Sequence, residues 1–220
     1  MMGLKISNQE IIDNSKNFNL SSCTFSDGSK LSTMSLQTFY TLNVKNILNN
    51  PNAYSTPAND NFGYSVAISG NYCIVGAYYE DDSGGTDSGK AYIFDVSTGS
   101  LLQTLNNPNA YSTSRDDYFG SSVAISGNYC IVGAYGEDDS GGTDSGKAYI
   151  FDVTTGALLQ TLNNPNAYST SASDNFGSSV AIDGNKCIVG AYQEDDSGGI
   201  GTGKAYIFDV TTGALLQILN

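Results

Sequence analysis

Short apolar runs alternate with polar, glycine-rich segments along most of this chain, and the pattern predicts β-strands joined by turns. Between residues 62 and 105 the runs are separated by a Gly-Asn turn signal, a polar loop and a Ser-Thr-Gly turn. The second and third runs are apolar at consecutive positions, which is typical of strands that are buried on both faces. The four predicted strands are residues 62–69 (FGYSVAIS), 72–78 (YCIVGAY), 90–96 (KAYIFDV) and 101–105 (LLQTL).

The same pattern occurs three times, at a period of 57 residues. Residues 48–104, 105–161 and 162–218 align without a gap; the first two copies differ at 8 of 57 positions and the second and third at 10. A fixed period of this length indicates a repeat protein whose units bury their faces against their neighbours. Four antiparallel strands with a two-sided core describe a blade of a β-propeller. The predicted fold is therefore all-β, with three four-stranded propeller-type blades; a β-solenoid, the alternative, needs shorter repeats.

Three blades are too few to close a ring, because closed propellers have about four to eight blades. We expect an incomplete or open propeller unless the chain forms a homo-oligomer, in which two chains side by side would complete a ring. An open arc leaves apolar sheet faces at its two ends. Residues 1–47 do not share the repeat, and we expect them to cap the first blade or to attach the repeats to a larger particle.

The charge of the chain narrows the range of partners. Nine basic and 22 acidic residues give a formal net charge of −13, and residues 48–220 hold 19 of the acidic ones. Such a surface repels nucleic-acid phosphates and anionic lipids, so neither is an expected partner. No apolar run reaches 18 residues, which disfavours membrane insertion, and residues 1–20 lack the apolar core of a signal peptide.

The residue types also disfavour catalysis. The chain has no histidine, which is the commonest general base, and three near-identical repeats offer copies of like groups rather than unlike groups that converge once. Cys73, Cys130 and Cys187 occupy the same repeat position, which places them too far apart for a disulfide and predicts buried thiols. The sequence therefore predicts a protein that is not an enzyme.

A pair of short motifs recurs in each repeat. Phe62-Gly63 followed by Gly76-Ala77-Tyr78 resembles the FG-GAP repeat of integrin α-subunit propellers and bacterial surface proteins, except that tyrosine stands where that family usually has proline. The later copies are Phe119-Gly120 with Gly133-Ala134-Tyr135, and Phe176-Gly177 with Gly190-Ala191-Tyr192. The resemblance covers residues 48–220, and it implies propeller blades that serve adhesion or recognition outside the cell.

In an up-and-down blade, the loop between the second and third strands lies at the same end as the link to the next blade, so one face carries every long loop. That loop is acidic and glycine-rich in this chain, and hard oxygen donors in a flexible loop suit Ca²⁺. The resemblance implies the same cofactor, since the equivalent integrin loop binds Ca²⁺. The third repeat has Gly201 in place of its last acid, and a solvated loop without metal stays the alternative. The candidate metal ligands are Glu80, Asp82, Asp87, Glu137, Asp139 and Asp144.

Two further sets of residues on this face are candidates for ligand binding. A tyrosine in each linking loop lies among Asn and Ser, which is the composition of an adaptable binding surface; packing between blades is the alternative. An aspartate two residues before each Phe-Gly pair either ligates a cation or caps a turn. The two sets are Tyr54, Tyr111 and Tyr168, and Asp60, Asp117 and Asp174.

The chain therefore has two functional hypotheses. The first is a non-enzymatic adhesion or recognition module that binds a protein or glycan through the long loops, with support from Ca²⁺. The alternative is a structural virion or surface component, similar to a phage tail or fibre protein, whose repeats act as a spacer or an assembly surface. It is based on residues 12–17 (IDNSKN), which resemble the opening of some marine phage tail or virion proteins. Both hypotheses place the protein outside the cell, at a cell surface or in a virion.

Overall fold

A computed structural model of the protein describes residues 23–24, 30–31, 46–51, 59–82, 85–108, 115–140, 142–165 and 171–220. The chain divides into two compact units, Met1–Lys45 and Asn46–Asn220, and the second unit contains the three repeats. In the first unit, the described residues form a two-stranded antiparallel ladder in which Cys23 pairs with Leu31. No helix in the described part of the chain has the length and apolar character that crossing a membrane requires.

The described residues of the second unit form three four-stranded sheets, one for each repeat. Each sheet is an antiparallel meander in which every strand pairs with the next one along the chain, so the prediction of three four-stranded blades is confirmed. The strands are β1 (Cys23–Thr24), β2 (Lys30–Leu31), β3 (Ser65–Ser69), β4 (Tyr72–Ala77), β5 (Lys90–Asp95), β6 (Leu101–Asn106), β7 (Ser122–Ser126), β8 (Tyr129–Ala134), β9 (Lys147–Asp152), β10 (Leu158–Asn163), β11 (Phe176–Asp183), β12 (Lys186–Ala191), β13 (Lys204–Asp209) and β14 (Leu215–Leu219). Blade 1 is β3 to β6, blade 2 is β7 to β10, and blade 3 is β11 to β14.

The first strand of blade 1 starts three residues later than the sequence pattern predicts. The chain turns at residues 61–64 instead, where Asn61 and Gly63 have φ angles of 56° and 93° and the Tyr64 amide donates to the Asn61 carbonyl at 3.0 Å. The turn directs Phe62 against Tyr92, with ring centroids 5.9 Å apart. The predicted strand start at Phe62 is therefore wrong for blade 1, whereas the other three strands end within one residue of the prediction.

The middle strands are buried on both faces, as their apolar runs predict. In blade 1, Ile74 pairs with Ile93 on one face and Val75 pairs with Tyr92 on the other, and all four side chains are buried. The first of these faces packs against blade 2, and burial of this apolar surface holds the two blades together. The junction includes Ile74, Ile93 and Leu105 of blade 1 with Val123, Val132, Tyr149 and Phe151 of blade 2. Blades 2 and 3 form the corresponding cluster.

The first strands of neighbouring blades lie against each other, and the backbones there come very close. A Cβ atom on Gly76 would lie 2.0 Å from the Gly120 carbonyl oxygen, to which the Ser65 hydroxyl donates at 2.7 Å. Gly133, Gly177 and Ser122 repeat this arrangement between blades 2 and 3. The glycines of both repeated motifs are therefore required where the blades meet, because any side chain at Gly76 would separate the strands.

The repeat cysteines are free thiols, as predicted. Cys130 and Cys187 are buried and Cys73 is half-buried. Burial raises the pKa of the Cys130 thiol to about 12, so this group is protonated at neutral pH. Because the thiolate is the reactive form, the thiol acts as a small apolar side chain in the junction of blades 1 and 2.

Among the described residues, the three sheets do not close into a ring, and apolar side chains on one face of blade 1 are exposed. Val66 and Ile68 on β3 are 67% and 66% exposed, whereas their counterparts on β7, Val123 and Ile125, are 9% and 7% exposed because blade 1 covers them. The expectation of an open propeller is thus confirmed. Residues 46–50 contact the outer part of the same face through Leu48.

Candidate functional site on the long-loop face

The long loops all lie at one end of the sheets, which we call the long-loop face. They join β4 to β5, β8 to β9 and β12 to β13, and the links between blades leave and enter at the same end. Each of the first two loops forms backbone hydrogen bonds with the link that follows it, so the loops are held against the next blade. In the first loop these bonds run from the amides of Asp116, Tyr118 and Phe119 to the carbonyls of Thr86, Asp87 and Ser88, at 3.0, 3.2 and 3.0 Å.

The first candidate metal ligand of each loop is buried inside its blade. The Glu80 carboxylate accepts hydrogen bonds from Lys90 Nζ at 2.7 Å and from the Tyr92 hydroxyl at 2.6 Å. Burial raises the pKa of Glu80, and the bonds from the lysine and the tyrosine oppose that rise. These carboxylates therefore bind the lysine and tyrosine of their own blade. The counterparts are Glu137 with Lys147 and Tyr149, and Glu194 with Lys204 and Tyr206.

The other candidate metal ligands lie in the loops themselves. Asp82 and Gly85 exchange backbone hydrogen bonds at 3.1 and 3.4 Å and close a tight turn, and Asp87 has a φ angle of 54°. Asp139 and Asp144 repeat this geometry in blade 2. Within the described ranges, no three acidic, cysteine or histidine side chains converge closely enough to hold a metal ion. Ca²⁺ binding stays a prediction, and Asp82 and Asp87 with nearby backbone oxygens are the groups that would have to supply it.

The aspartates that precede the Phe-Gly pairs are buried just before the first strand of each blade. Asp60 Oδ2 accepts a hydrogen bond from Asn50 Nδ2 at 2.7 Å, which joins the two ends of the link. Asn107 with Asp117 and Asn164 with Asp174 repeat this bond at the same distance. Their burial and these bonds favour the alternative in which the aspartates fix a turn. The other three ligand-binding candidates, Tyr54, Tyr111 and Tyr168, lie outside the described residues, as do residues 12–17.

Five tyrosines converge on the long-loop face where blades 1 and 2 meet, and we call them the tyrosine cluster. They are Tyr64, Tyr78, Tyr79, Tyr118 and Tyr135. Tyr64 is 64% exposed, Tyr78 is buried, and the others are half-buried. Every ring contacts at least one other, so the rings form one continuous aromatic surface across the junction. The ring centroids are 4.3 Å apart for Tyr64 and Tyr78, 4.0 Å for Tyr78 and Tyr79, 5.6 Å for Tyr79 and Tyr118, and 5.1 Å for Tyr118 and Tyr135.

Sequence interpretation missed this cluster, although the differences between the repeats contain a signal for it. Tyr64, Tyr79 and Tyr118 stand where the other repeats have different residues, and they account for three of the eight differences between the first two repeats. A Cβ atom at Gly136 would lie 2.2 Å from the Asp116 carbonyl oxygen and 2.8 Å from Cδ2 of Tyr118, so a larger residue at this position would collide with the link that carries Tyr118. The counterparts are Ser121 and Ser178 for Tyr64, Gly136 and Gln193 for Tyr79, and Asn61 and Asn175 for Tyr118.

Carboxylates lie around the centre of the cluster. Burial raises the pKa of Tyr118, and the negative charges of Asp116, Asp87 and Asp144 add to that rise. Burial and repulsion from neighbouring aspartates raise the pKa of Asp87 and Asp144 as well. Arg115 Nε lies 3.2 Å from Asp116 Oδ2, but both side chains are exposed and such pairs contribute little in water. The long-loop face therefore combines aromatic rings with a negative electrostatic field.

Three meander blades with a two-sided core and adjacent first strands define a protein of the β-propeller-blade class. The FG-GAP repeat family matches residues 53–94, 110–151 and 167–208, which together make up more than half of the chain. The chain belongs to this family, as its Phe-Gly and Gly-Ala-Tyr motifs predict. The fold explains these motifs, since Phe119 is fully buried and the glycines lie where the backbones of two blades meet.

The chain is also similar to a designed protein of known structure, the computationally designed Ika4 protein. The two are 18% identical with a TM-score of 0.43, over 71% of this chain and 70% of the designed one. No curated protein matches the chain. These two comparisons assign no ligand or activity.

Proposed function

We propose that the chain is a non-enzymatic recognition module that binds a protein or glycan ligand through the long-loop face. The tyrosine cluster is the observation that supports this proposal. Tyrosine rings give a large contact area, lose little conformational entropy on binding and carry a hydroxyl that can donate or accept a hydrogen bond. Recognition sites commonly lie on loops that a rigid scaffold positions, and these rings lie at strand ends and in links that are hydrogen-bonded to the neighbouring loop.

The exchanges between the repeats favour recognition over a purely structural role. A spacer or virion assembly surface needs only the contacts that the repeats share, such as the apolar junctions between blades. The tyrosines that differ from their counterparts in the other repeats, Tyr64, Tyr79 and Tyr118, instead meet at the junction of blades 1 and 2 on the long-loop face. They give this junction an aromatic surface that the repeat sequence alone does not produce. In this proposal the module acts outside the cell, at a cell surface or on a virion. Ca²⁺ support and a homo-oligomeric ring are further predictions of the same proposal.

The test uses residues of this chain's own repeats as substitutions. Tyr64→Ser, Tyr79→Gly and Tyr118→Asn each introduce a residue that another repeat has at the same position, so the fold should tolerate them. The matched control is Thr154→Ser with Ala157→Ser, which introduces first-repeat residues at the short turn on the opposite end.

The labelled 220-residue chain and both variants are applied to a glycan microarray and to a yeast-displayed random peptide library. We expect the unsubstituted chain and the control to retain the same ligands and the triple tyrosine variant to lose them. The proposal is wrong if the triple variant retains the same ligands, or if the unsubstituted chain retains none.

A further inference from the structure

We propose that two copies of this chain bind each other through their end blades, so that blade 3 of each copy packs on blade 1 of the other and a six-bladed ring forms. The contact uses the faces of the sheets and not the long loops. The front face of a blade carries the counterparts of Val66 and Ile68, and its back face carries the counterparts of Ala67, Ile74 and Ile93. This inference supplies the interface of the homo-oligomeric ring, and it can fail without affecting recognition by the tyrosine cluster.

An apolar face is exposed on each of the two end blades. On the front face of blade 1, Val66 and Ile68 are exposed although blade 1 buries their counterparts in blade 2. On the back face of blade 3, Leu219 is 38% exposed, whereas Leu105 and Leu162 in the other blades are 1% and 2% exposed. The half-buried Ile188 and Ile207 likewise have fully buried counterparts, Ile74 with Ile131 and Ile93 with Ile150. Exposed apolar faces are costly in water and mark interfaces between proteins.

The junctions inside the chain show what fits these two faces. The back face of blade 1 packs on the front face of blade 2, and blades 2 and 3 repeat the arrangement. The main apolar residues of both faces are the same in all three repeats, so blade 3 of one copy can pack on blade 1 of another as blade 1 packs on blade 2. A second copy is therefore the partner whose surface matches. The residues are Ala181, Ile188, Ile207 and Leu219 on the back face, and Val66, Ile68, Val75, Tyr92 and Phe94 on the front face.

A hydrogen bond of the internal junctions also has both of its groups on the end blades. The Ser65 hydroxyl donates to the Gly120 carbonyl of the next blade at 2.7 Å, and blades 2 and 3 repeat this bond. The counterparts on the end blades are Ser179, which is exposed, and Gly63. A Cβ atom on Gly63 would meet no described atom within 4 Å beyond its chain neighbours, so another backbone can approach it. In the ring, Ser179 of one copy donates to the Gly63 carbonyl of the other.

Two polar exchanges on the back face of blade 3 are compatible with this contact. Lys186 stands where Tyr72 and Tyr129 pack on the next blade, and a lysine stem covers apolar surface while its ammonium group stays in water. Asp183 stands where the Ser126 hydroxyl accepts a hydrogen bond from a backbone amide of the next blade at 3.1 Å. A carboxylate accepts the same bond.

Residues 46–50 cover the outer part of the front face of blade 1 and compete with the second copy there. Leu48 packs on the aromatic rings of this face, and it lies one repeat period before Leu105. Leu219 of the second copy needs the same position, because Leu105 lies there in the junction of blades 1 and 2. In the ring, β14 of the second copy therefore replaces residues 46–50, and a weaker contact of these residues should strengthen the dimer.

Two is the number of copies that closes a propeller. With three blades in each chain, two copies give six blades and three copies give nine, and closed propellers have about four to eight. Each copy contributes one front face and one back face to the ring, so neither apolar face stays in water.

Sedimentation velocity of the 220-residue chain across micromolar concentrations tests the ring. Ile68→Lys places a charge on the front face of blade 1, and Ala181→Glu places one on the back face of blade 3. Both positions are exposed in the single chain, so the fold should tolerate the charges, and thermal unfolding checks this. Leu159→Lys is the matched control, because Leu159 is 41% exposed on the outer strand of blade 2, which is not an end blade.

We expect the unsubstituted chain and Leu159→Lys to sediment as two copies. Ile68→Lys and Ala181→Glu should each associate at least about tenfold more weakly, because each leaves an unpaired charge in the junctions. An equimolar mixture of these two variants should form the dimer again, since one junction then holds both opposite charges and the other is unsubstituted. Asn46→Ala/Leu48→Ala should associate more tightly than the unsubstituted chain.

A chain that stays single at every concentration would overturn the inference, as would a dimer that persists in both charged variants. Assemblies of more than two copies would contradict the closed ring. Unchanged association of Asn46→Ala/Leu48→Ala would show that the second copy does not replace residues 46–50 and does not dock as blade 1 docks on blade 2. In each of these cases the glycan and peptide test of the tyrosine cluster decides the recognition function by itself.

Discussion

Asn46 Nδ2 donates a hydrogen bond to the carbonyl oxygen of Ser97 at 3.3 Å, across 51 residues of the chain. The outer strands of blades 1 and 2 make the same bond to the turn of the following blade. These bonds run from Gln103 to Thr154 and from Gln160 to Thr211, each at 2.7 Å and each across 51 residues. Because Asn46 lies one repeat period before Gln103, residues 46–50 contact blade 1 as an outer strand contacts the next blade.

Leu48 should contribute to the stability of blade 1 as Leu105 contributes to that of blade 2. Leu48 packs on Val75, Tyr92 and Phe94 but is only partly buried, so we expect Leu48→Ala to lower the free energy of unfolding by about 1–2 kcal/mol. Leu105 is fully buried, so Leu105→Ala should cost about 2–5 kcal/mol. Urea unfolding measures both changes. Ile47→Ala is the control, since Ile47 is exposed; an equal loss there would contradict the strand-like role of Leu48.

The buried carboxylate of Glu137 should be essential for blade 2. Its removal in Glu137→Ala leaves Lys147 buried without its partner, and we expect a loss of about 3–5 kcal/mol in thermal or urea unfolding. Replacement of both partners in Glu137→Leu with Lys147→Met should restore much of this stability, because neither variant residue needs a charged partner. A double variant that is less stable than Glu137→Ala would argue that the ion pair itself stabilises the blade.

The short turns on the opposite end should set part of the stability at acidic pH. Hydrogen bonds from the Ser97 hydroxyl and then the Thr98 backbone lower the pKa of Asp95 below its usual 3.8, and Asp152 and Asp209 are lowered in the same way. A lowered pKa in the folded state gives stability that is complete above pH 3.8 and is lost as the pH falls through the folded-state pKa. Melting temperatures between pH 7 and pH 2 should therefore fall less steeply for Asp95→Asn/Asp152→Asn/Asp209→Asn. If the melting temperature of the triple variant falls as steeply with pH as that of the unsubstituted chain, these aspartates do not set the stability at acidic pH.

The buried glutamates should act in the opposite direction at higher pH. Because burial raises the folded-state pKa of Glu80 and Glu137 above 4.5, the folded chain keeps protons that the unfolded chain has lost. Their contribution to stability therefore decreases as the pH rises from about 4.5 to the raised pKa. Glu137→Gln, which does not titrate, should remove part of this decrease in the same melting experiment. If the melting temperatures of Glu137→Gln and the unsubstituted chain differ by the same amount at every pH, Glu137 is not the source of this decrease.

Tyr118 and Gly136 should be energetically coupled. Gly136→Gln alone places a side chain within 2.8 Å of the Tyr118 ring, and overpacking of this kind costs about 1–3 kcal/mol. Adding Tyr118→Asn recreates the pair Asn175 and Gln193 of blade 3, so the double variant should recover most of the loss. A double-mutant cycle in urea gives the coupling energy directly. Strictly additive effects would show that Gly136 is required for another reason, such as the Asp116 carbonyl 2.2 Å from the same Cβ position.

The Ca²⁺ hypothesis predicts a higher melting temperature in millimolar Ca²⁺ than in EDTA, because a ligand that binds only the folded state stabilises it. The rise should disappear in Asp82→Ala/Asp139→Ala. The rise should persist in Glu80→Gln, because the Glu80 carboxylate is bound to Lys90 and Tyr92 inside the blade and is not expected to ligate the metal. An unchanged melting curve would contradict the hypothesis and support loops that are acidic without binding metal.

The strand pattern, the repeat period and the motifs were sufficient to predict the blades, because these features depend on local alternation and turn chemistry. The predicted start of the first strand at Phe62 was wrong for blade 1, where residues 61–64 form a turn before β3 begins at Ser65. For the candidate site, the sequence located the long-loop face. It did not show that Glu80 and Asp60 are buried, because their partners Lys90 and Asn50 are ten residues away.

The sequence by itself determined the three blades and the family, because every blade repeats the same local signals for strands and turns. Only the tertiary structure decided which side chains meet across a junction. Tyr79 and Tyr118 belong to different repeats and are 39 positions apart in the chain, and their rings lie 5.6 Å apart because the end of β4 packs beside the link into blade 2. Contacts of this kind depend on how two blades pack, and the pattern within a single repeat carries no information about that packing.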